Sequence, residues 1–275
     1  MDQFKQAVNL ARGAAPLAPA ADHQPLGNQP HPIDPRGSLQ EARIKNLPLK
    51  AAHLESMRIV SHNKDDLRAP SFDMLRTQVL QSMDANGWQF LAVTSPTAGC
   101  GKTVTACNLA LSMARLPERS VLLVDLDMRK PKVANHLGIK RDFGVLSVLQ
   151  GRQNLSDAII QVGIEREQLL VLPGEQTNAS SEWMASSSMP ALLQTMKREF
   201  RSRIVILDLP PILSGDDVLS ILPHLQSVLL IAEAGSTSVS EIKECTKHLK
   251  DTPVVRVVIN KITEREPTSP YHEYY

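Results

Sequence analysis

The sequence predicts a doubly wound, mostly parallel α/β sheet flanked by helices, and three observations predict it. Short runs of Val, Ile and Leu alternate with segments of helical length along most of the chain. The runs are continuous rather than interleaved with polar residues, so each strand is expected to be buried on both faces by helices. One strand-to-helix junction, Ser95-Pro-Thr-Ala-Gly-Cys-Gly-Lys-Thr103, is built largely from small residues. In sheets of this kind the functional site lies at the carboxyl ends of the strands.

The elements follow in order. Residues 1–50 read as a Pro/Ala-rich tether, with two helical turns possible over Phe4–Arg12 that either stay flexible or dock on a partner. The globular unit is expected over 51–262. Phe72, Leu75, Val79 and Leu80 lie at helical spacing, so Phe72–Met83 reads as a helix, closed by Gly87. Trp88–Thr94 is expected as a strand, Lys102–Leu116 as a helix stopped by Pro117, and Ser120–Asp127 as a second strand. Short helices are expected at Val133–Leu137, Val145–Leu149 and Leu155–Ile160. The alternation then repeats: strand Leu169–Leu172, helix Pro190–Phe200, strand Ile204–Leu209, helix Asp217–Leu222, strand Ser227–Ala232, helix Ser240–Leu249 and strand Val254–Ile259. A polar tail occupies 263–275.

Bulk composition excludes several classes. The 275 residues carry 30 basic and 29 acidic side chains, a formal charge of +1, which gives no global electrostatic case for nucleic-acid binding. No apolar run approaches the roughly 20 residues needed to cross a bilayer. Met1–Arg12 has scattered charges and no apolar stretch, unlike a secretory leader. Cys100, Cys107 and Cys245 are odd in number and widely spaced, which fits reduced thiols in a cytoplasmic protein rather than disulfides or a zinc site.

Four stretches carry chemistry. In 95–103, small residues let successive backbone N–H groups turn inward around phosphate oxygens, and the helix beginning at Lys102 aims its positive end at the same anion. Thr97, Ala98, Gly99, Cys100, Gly101, Lys102, Thr103 and Val104 are the expected ATP-phosphate contacts. Lys102 would reach the β/γ phosphates and the Thr103 hydroxyl would ligate Mg²⁺. The ordinary Walker A motif has Gly six residues before the lysine, where this chain has Pro96. Cys100 is either a small filler or a thiol whose oxidation would block ATP. The second stretch, Val121–Arg129, ends in Asp125 and Asp127 at i and i+2, a spacing that points both carboxylates to one side. Asp125 reads as the metal-side group and Asp127 as a proton acceptor, with a loop-capping role the alternative for Asp127. Arg129 is assigned to phosphate, to a neighbouring subunit or to the surface.

The third stretch, Ile204-Val-Ile-Leu-Asp208-Leu-Pro-Pro211, is an apolar strand ending in a carboxylate. That is the second half of a P-loop site, holding Mg²⁺ directly or through water, unless Asp208 only caps its loop. Asp216 and Asp217 read as the start of the next helix, where acids suit the dipole. The fourth is the C-terminus. All three tyrosines, Tyr271, Tyr274 and Tyr275, fall in the last five residues, where packing roles are rare. As phosphate acceptors beside a P-loop they make chemical sense.

Together these stretches resemble the bacterial tyrosine kinases of capsule and exopolysaccharide synthesis, a SIMIBI-like branch of the P-loop NTPases. The resemblance covers about residues 55–275 and is nearest to soluble autokinases whose membrane co-polymerase is a separate chain. Val124-Asp-Leu-Asp-Met-Arg-Lys-Pro131 is similar to the family's second Walker segment and Leu207-Asp-Leu-Pro-Pro211 to its Walker B segment. Gly144–Gly151, Leu172-Pro-Gly174 and Ile259-Asn-Lys261 are weaker echoes, the last placing Asn260 at the nucleotide. The resemblance implies ATP- and Mg²⁺-dependent autophosphorylation of the terminal tyrosines between subunits. It assigns Lys102, Asp125, Asp127, Arg129 and Asp208 to catalysis and Thr103, Asp125 and Asp208 to the metal. It also implies activation by the cytoplasmic segment of a membrane chain-length regulator, at the inner face of the membrane. The family's Glu-x-x-Arg-x-x-Arg assembly motif is reduced here to Arg76 within Pro70–Arg76, which weakens the expectation of a ring-shaped homo-oligomer. Two other readings stand beside the kinase. One is a non-kinase ATPase switch like the partitioning ATPases, although those place a second lysine early in the phosphate loop and residues 95–101 contain none. The other is a nucleotide-binding scaffold without turnover.

Overall fold

A computed structural model describes residues 45–140, 142–164, 169–200 and 203–262. The expectations for the N-terminal helix and the tyrosine tail lie outside them. An eight-stranded sheet runs through the molecule. In chain order its strands are β1 (Lys45–Pro48), β2 (Phe90–Thr94), β3 (Ser120–Asp125), β4 (Ile160–Gly163), β5 (Leu169–Leu172), β6 (Arg203–Asp208), β7 (Val228–Glu233) and β8 (Val254–Asn260). Their spatial order is β1-β4-β5-β3-β6-β2-β7-β8. Every pairing is parallel except β4 with β5.

The helices are α1 (Ala51–Ser56), α2 (Ala69–Asn86), α3 (Lys102–Ala114), α4 (Val133–Leu137), α5 (Val145–Leu149), α6 (Leu155–Ala158), α7 (Ser180–Met184), α8 (Ser188–Glu199), α9 (Asp217–Ile221) and α10 (Val239–His248). The period-two geometry of a strand explains why continuous apolar runs are needed. Leu91, Val93, Leu123 and Ile206 face one core with Val79 and Met83 of α2 and Leu109 and Met113 of α3. Ala92, Leu122, Val124 and Leu207 face the other core with Met184 of α7 and Met189, Leu193 and Met196 of α8. A doubly wound, mostly parallel α/β sheet is therefore the fold. No described helix is long and apolar enough to cross a membrane.

The structure departs from the sequence expectations at the β1 edge. The expected helix Leu155–Ile160 stops at Ala158, and Ile160–Gly163 is a strand. Ile160 and Val162 are buried while Gln161 and Gly163 are only partly so, a two-residue period that four residues express weakly. The sheet also begins inside the segment read as tether, because Lys45–Pro48 pairs with β4 in parallel. Helices α1 and α7 were not anticipated, and α2 runs from Ala69 to Asn86 rather than from Phe72 to Met83. At its end Gly87 takes the left-handed conformation, φ 64°, that closes a helix.

Helix α3 carries the phosphate loop at its start and is held from behind by one amide. Asn108, fully buried, accepts from the backbone N–H groups of Val60 at 2.7 Å and Ser61 at 3.0 Å. Its Nδ2 donates to the carbonyls of Arg58 at 3.0 Å and Val104 at 2.9 Å. These bonds fix the turn in which Arg58 adopts a left-handed φ of 62°. Asn108→Ala leaves two buried donors without partners, so urea unfolding should show a loss of roughly 2–4 kcal/mol.

Candidate active site

Three strands adjacent in the sheet, β3, β6 and β2, bring their carboxyl ends together. The loop after β2 is tied down first. Thr94 Oγ1 donates to Pro210 O at 2.7 Å, and the N–H groups of Ile212 and Leu213 donate to Ser95 O at 2.8 Å and Pro96 O at 3.1 Å. Pro96 is buried beneath the loop, whereas Ala98 and Gly99 are exposed at its crest and Thr97 is half-buried. Gly99 and Gly101 have φ of 95° and 92°, a region that L side chains rarely adopt. A Cβ at Gly101 would also collide with the Asn260 side-chain amide, which would have to give way. Asn260, at the end of β8, donates to Cys100 O at 2.9 Å and so braces the loop from the side. Cys100 is buried and its thiol donates to Thr97 O at 3.3 Å. Val104 is half-buried in the first turn of α3.

Around the start of α3 the charged groups converge. Lys102 Nζ donates to Asp127 Oδ2 at 2.8 Å and lies 3.6 Å from Asp208 Oδ1. Thr103 Oγ1 donates to Asp208 Oδ2 at 2.7 Å. Asp125 and Asp208 are register partners on β3 and β6 and both are fully buried. Asp125 Oδ2 accepts from the N–H groups of Lys132 at 2.9 Å and Val133 at 3.0 Å, and its Oδ1 from Asp127 N at 3.2 Å. Asp125 therefore organises the 126–133 loop, while Asp127 is the carboxylate in contact with the lysine. Arg129 turns away from this cluster to Asp217 Oδ2, 2.7 Å from its Nη2, and to Ser181 Oγ at 3.1 Å. Arg76 turns inward: its Nη1 donates to Ser112 O at 3.0 Å and Asp73 Oδ1 at 3.2 Å.

The electrostatics have one cause, the burial of three carboxylates around one ammonium. Burial raises the Asp125 carboxyl from 3.8 to about 8, helped by the negative charge of Asp208. Burial also raises Asp208, against the pull of Lys102 and the Thr103 hydroxyl. Burial works against the Lys102 ammonium, but Asp208 and Asp127 outweigh it and raise its pKa.

The donor set fits a nucleotide-borne Mg²⁺. Asp208 Oδ1 is buried and makes no hydrogen bond, with the Lys102 ammonium 3.6 Å away, and a divalent cation there would favour the ionised forms that burial disfavours. Among the described residues there is no group of three or more His, Cys, Asp or Glu able to hold a metal alone. Mg²⁺ sites that use one or two carboxylates with phosphate oxygens do not require one.

The sequence named Gly174 and Gly144 within weaker echoes and Asp217 as a helix-start acid, but gave none of their contacts, and it missed Glu175. Gly174 leaves space beside Asp125, since a Cβ there would lie 3.0 Å from Asp125 Cγ and 2.7 Å from Pro131 Cβ. Glu175 accepts from Gly144 N at 2.8 Å and Ser147 N at 2.6 Å, pinning the same loop. Asp217 begins a helix, as read from the sequence, and also meets Arg129. No local pattern gives these contacts, because each residue meets its partner from another connection at the carboxyl end of the sheet.

Fold and site together define a P-loop nucleotide-binding domain. A sequence profile of the CobQ/CobB/MinD/ParA nucleotide-binding domain family matches residues 91–274, and the chain belongs to that family. It is 32% identical over 203 residues to EpsB of Ralstonia nicotianae, a match that covers 71% of this chain and 26% of EpsB. The chain thus spans about a quarter of that relative. It is 25% identical over 207 residues to the tyrosine-protein kinase CpsD of Streptococcus agalactiae, covering 74% of this chain and 86% of CpsD. Among solved structures it is similar to the VpsO kinase domain, with a TM-score of 0.62 and 28% identity over 72% of this chain and 98% of that one.

The buried Asp125 carboxyl gives the nucleotide-free fold a pH dependence. Its folded pKa of about 8 lies above the unfolded value of 3.8, so the native state binds more protons between those values and stability falls as pH rises through that window. The thermal midpoint of the Mg²⁺-free protein should decline from pH 5 to about 8 and then flatten. Asp125→Asn should reduce that slope.

Proposed function

We propose that the chain is an ATP- and Mg²⁺-dependent protein-tyrosine autokinase that phosphorylates Tyr271, Tyr274 and Tyr275 in trans between neighbouring copies. The observation that carries this reading is the convergence of Lys102, Thr103, Asp127 and Asp208 at the head of α3. Its similarity to proteins named as tyrosine kinases adds the class of acceptor. Acting at the cytoplasmic face of the membrane through a polysaccharide co-polymerase, it would regulate exopolysaccharide or capsule polymerisation.

Bound Mg-ATP would supply the phosphoryl group and the charge that offsets the carboxylates. Backbone N–H groups of residues 97–104 would cradle the phosphates, Lys102 would turn from Asp127 to the phosphate oxygens, and Thr103 and Asp208 would hold the metal, with Asp125 behind them. Asp127, released by Lys102, is the group placed to take the proton from a tyrosine hydroxyl. Asn260 supports the loop through Cys100 O.

The test is a phosphosite map after incubation with Mg-ATP, with and without the cytoplasmic segment of the membrane partner. Phosphate is expected on the three C-terminal tyrosines. Lys102→Met should abolish the signal, and Asp127→Asn should lower the transfer rate by roughly 100-fold or more while retaining ATP binding. ATP bound but no tyrosine phosphate, even with the partner segment present, would overturn the reading in favour of a nucleotide switch or scaffold.

A further inference from the structure

The Arg129 guanidinium joins three connections that leave adjacent strands. Arg129 itself lies in the loop after β3, Ser181 is the second residue of α7 after β5, and Asp217 begins α9 after β6; those strands are neighbours in the order β5-β3-β6. Its Nε donates to Asp217 Oδ1 at 3.3 Å and its Nη2 lies 2.7 Å from Oδ2, a two-pronged pairing, while Nη2 also donates to Ser181 Oγ at 3.1 Å. The Asp217 side chain is only 3% exposed, whereas that of Arg129 is 45% exposed. A carboxylate so deeply placed needs a fixed counter-charge, because removing it leaves an uncompensated buried ion. Gly215 makes room for the pair: a Cβ there would lie 3.1 Å from Asp217 Oδ2 and 3.2 Å from Arg129 Nη2.

The clamp acts on the residues that do the chemistry. Two positions before Arg129 is Asp127, and the backbone on either side of Asp127 is already linked to the same two neighbours. Leu126 N donates to Asp208 O at 2.9 Å, and Thr177 N donates to Met128 O at 2.9 Å. These short bonds fix the root of the loop, and Arg129 fixes its outer end. The distance from Asp127 to the Asp208 strand, across which Lys102 sits, is therefore set from both sides.

We propose that Asp217 is a positioning residue for phosphoryl transfer, holding Arg129 and through it the Asp127 loop in register with Asp208. This deepens the kinase reading and rests on it for its catalytic consequence, but the clamp on the loop is a property of the fold. Arg129 in this role braces the site from outside and does not contact the phosphate.

The experiment uses the full chain with Asp217→Asn, Asp217→Glu, Arg129→Gln and the double variant Arg129→Gln/Asp217→Asn. Asp217→Asn should lower kcat for tyrosine phosphorylation by roughly tenfold or more, with KM for ATP changed by less than about threefold. Asp217→Glu should recover part of that loss. The double variant should be no slower than Arg129→Gln alone, because Asp217 acts only through the guanidinium. In the nucleotide-free protein, amide hydrogen exchange of residues 126–133 should quicken in Asp217→Asn and no further in the double variant. Exchange requires no catalysis, so a chain that transfers no phosphate to tyrosine overturns the kinase reading while exchange still decides the clamp. Unchanged exchange at 126–133 overturns the clamp, as do additive kcat losses in variants whose melting curves match the unaltered chain.

Discussion

The structure depends most on the burial of Asp125, Asp127 and Asp208 around the single ammonium of Lys102. Carboxylates taken out of water destabilise a fold unless they are paired or neutralised, so their presence at the ends of two central strands is a cost that core packing would not select. The fold meets it in three different ways. Asp125 is satisfied by backbone N–H groups of its own loop, Asp127 by the Lys102 ammonium, and Asp208 by the Thr103 hydroxyl on one oxygen and a longer ion pair to Lys102 on the other. The remaining oxygen of Asp208 makes no hydrogen bond and has the Lys102 ammonium 3.6 Å away, a long ion pair that leaves it coordinating capacity for a cation.

This constraint explains why so much of the surrounding framework is polar and long-range. The phosphate loop hangs from Pro210 and Ile212 after β6 and from Asn260 after β8, while Asn108 holds α3 against the turn at Arg58. A charge cluster that is only partly neutralised repels itself and would spread the strand ends apart. Bonds that cross from one connection to the next resist that spreading, and the Arg129–Asp217 pair is the outermost of them. By contrast, the Asp73 carboxylate of α2, facing α3, is held below its usual value: burial opposes this, but the Ser112 hydroxyl and the Arg115 guanidinium prevail. There each Asp73 oxygen meets a guanidinium, and the group ties the two helices together. Arg76 is part of that group, and its side chain, 16% exposed, helps to pack the two helices together.

What the sequence disclosed follows the same division. Continuous apolar runs and the Gly-x-Gly-Lys-Thr junction are local patterns, so the central strands, the phosphate loop and α3 could be read within a few residues of their ends. The β1–β4 edge could not, because four-residue strands carry too little periodicity and their stability comes from pairing with one another. The same limit applied to Asp125. Strand-end position marked it as a site residue, but whether its oxygens face a metal or the backbone of Lys132 and Val133 depends on how the next seven residues curl. Asp217 was visible as an acid beginning a helix, and the dipole was a sufficient local reason for it. The stronger reason, a guanidinium 88 residues away in sequence, exists only once β3 and β6 lie side by side.

That contrast bears on how one fold can serve both a nucleotide switch and a phosphoryl-transfer enzyme. Cradling a nucleotide's phosphates calls for a loop, a lysine and a hydroxyl, and here all of them come from one strand-loop-helix unit. Transfer to a tyrosine demands more, since a proton acceptor must be held at a fixed distance from the phosphate by elements outside that unit. In this chain Asp127 is held on one side by Leu126 on Asp208, on the other by Thr177 on Met128, and at the loop's end by Arg129 on Asp217. A loop secured at three points is suited to present a carboxylate in one place through successive turnovers. A switch that reports its nucleotide by moving this same loop would be hindered by every one of those bonds.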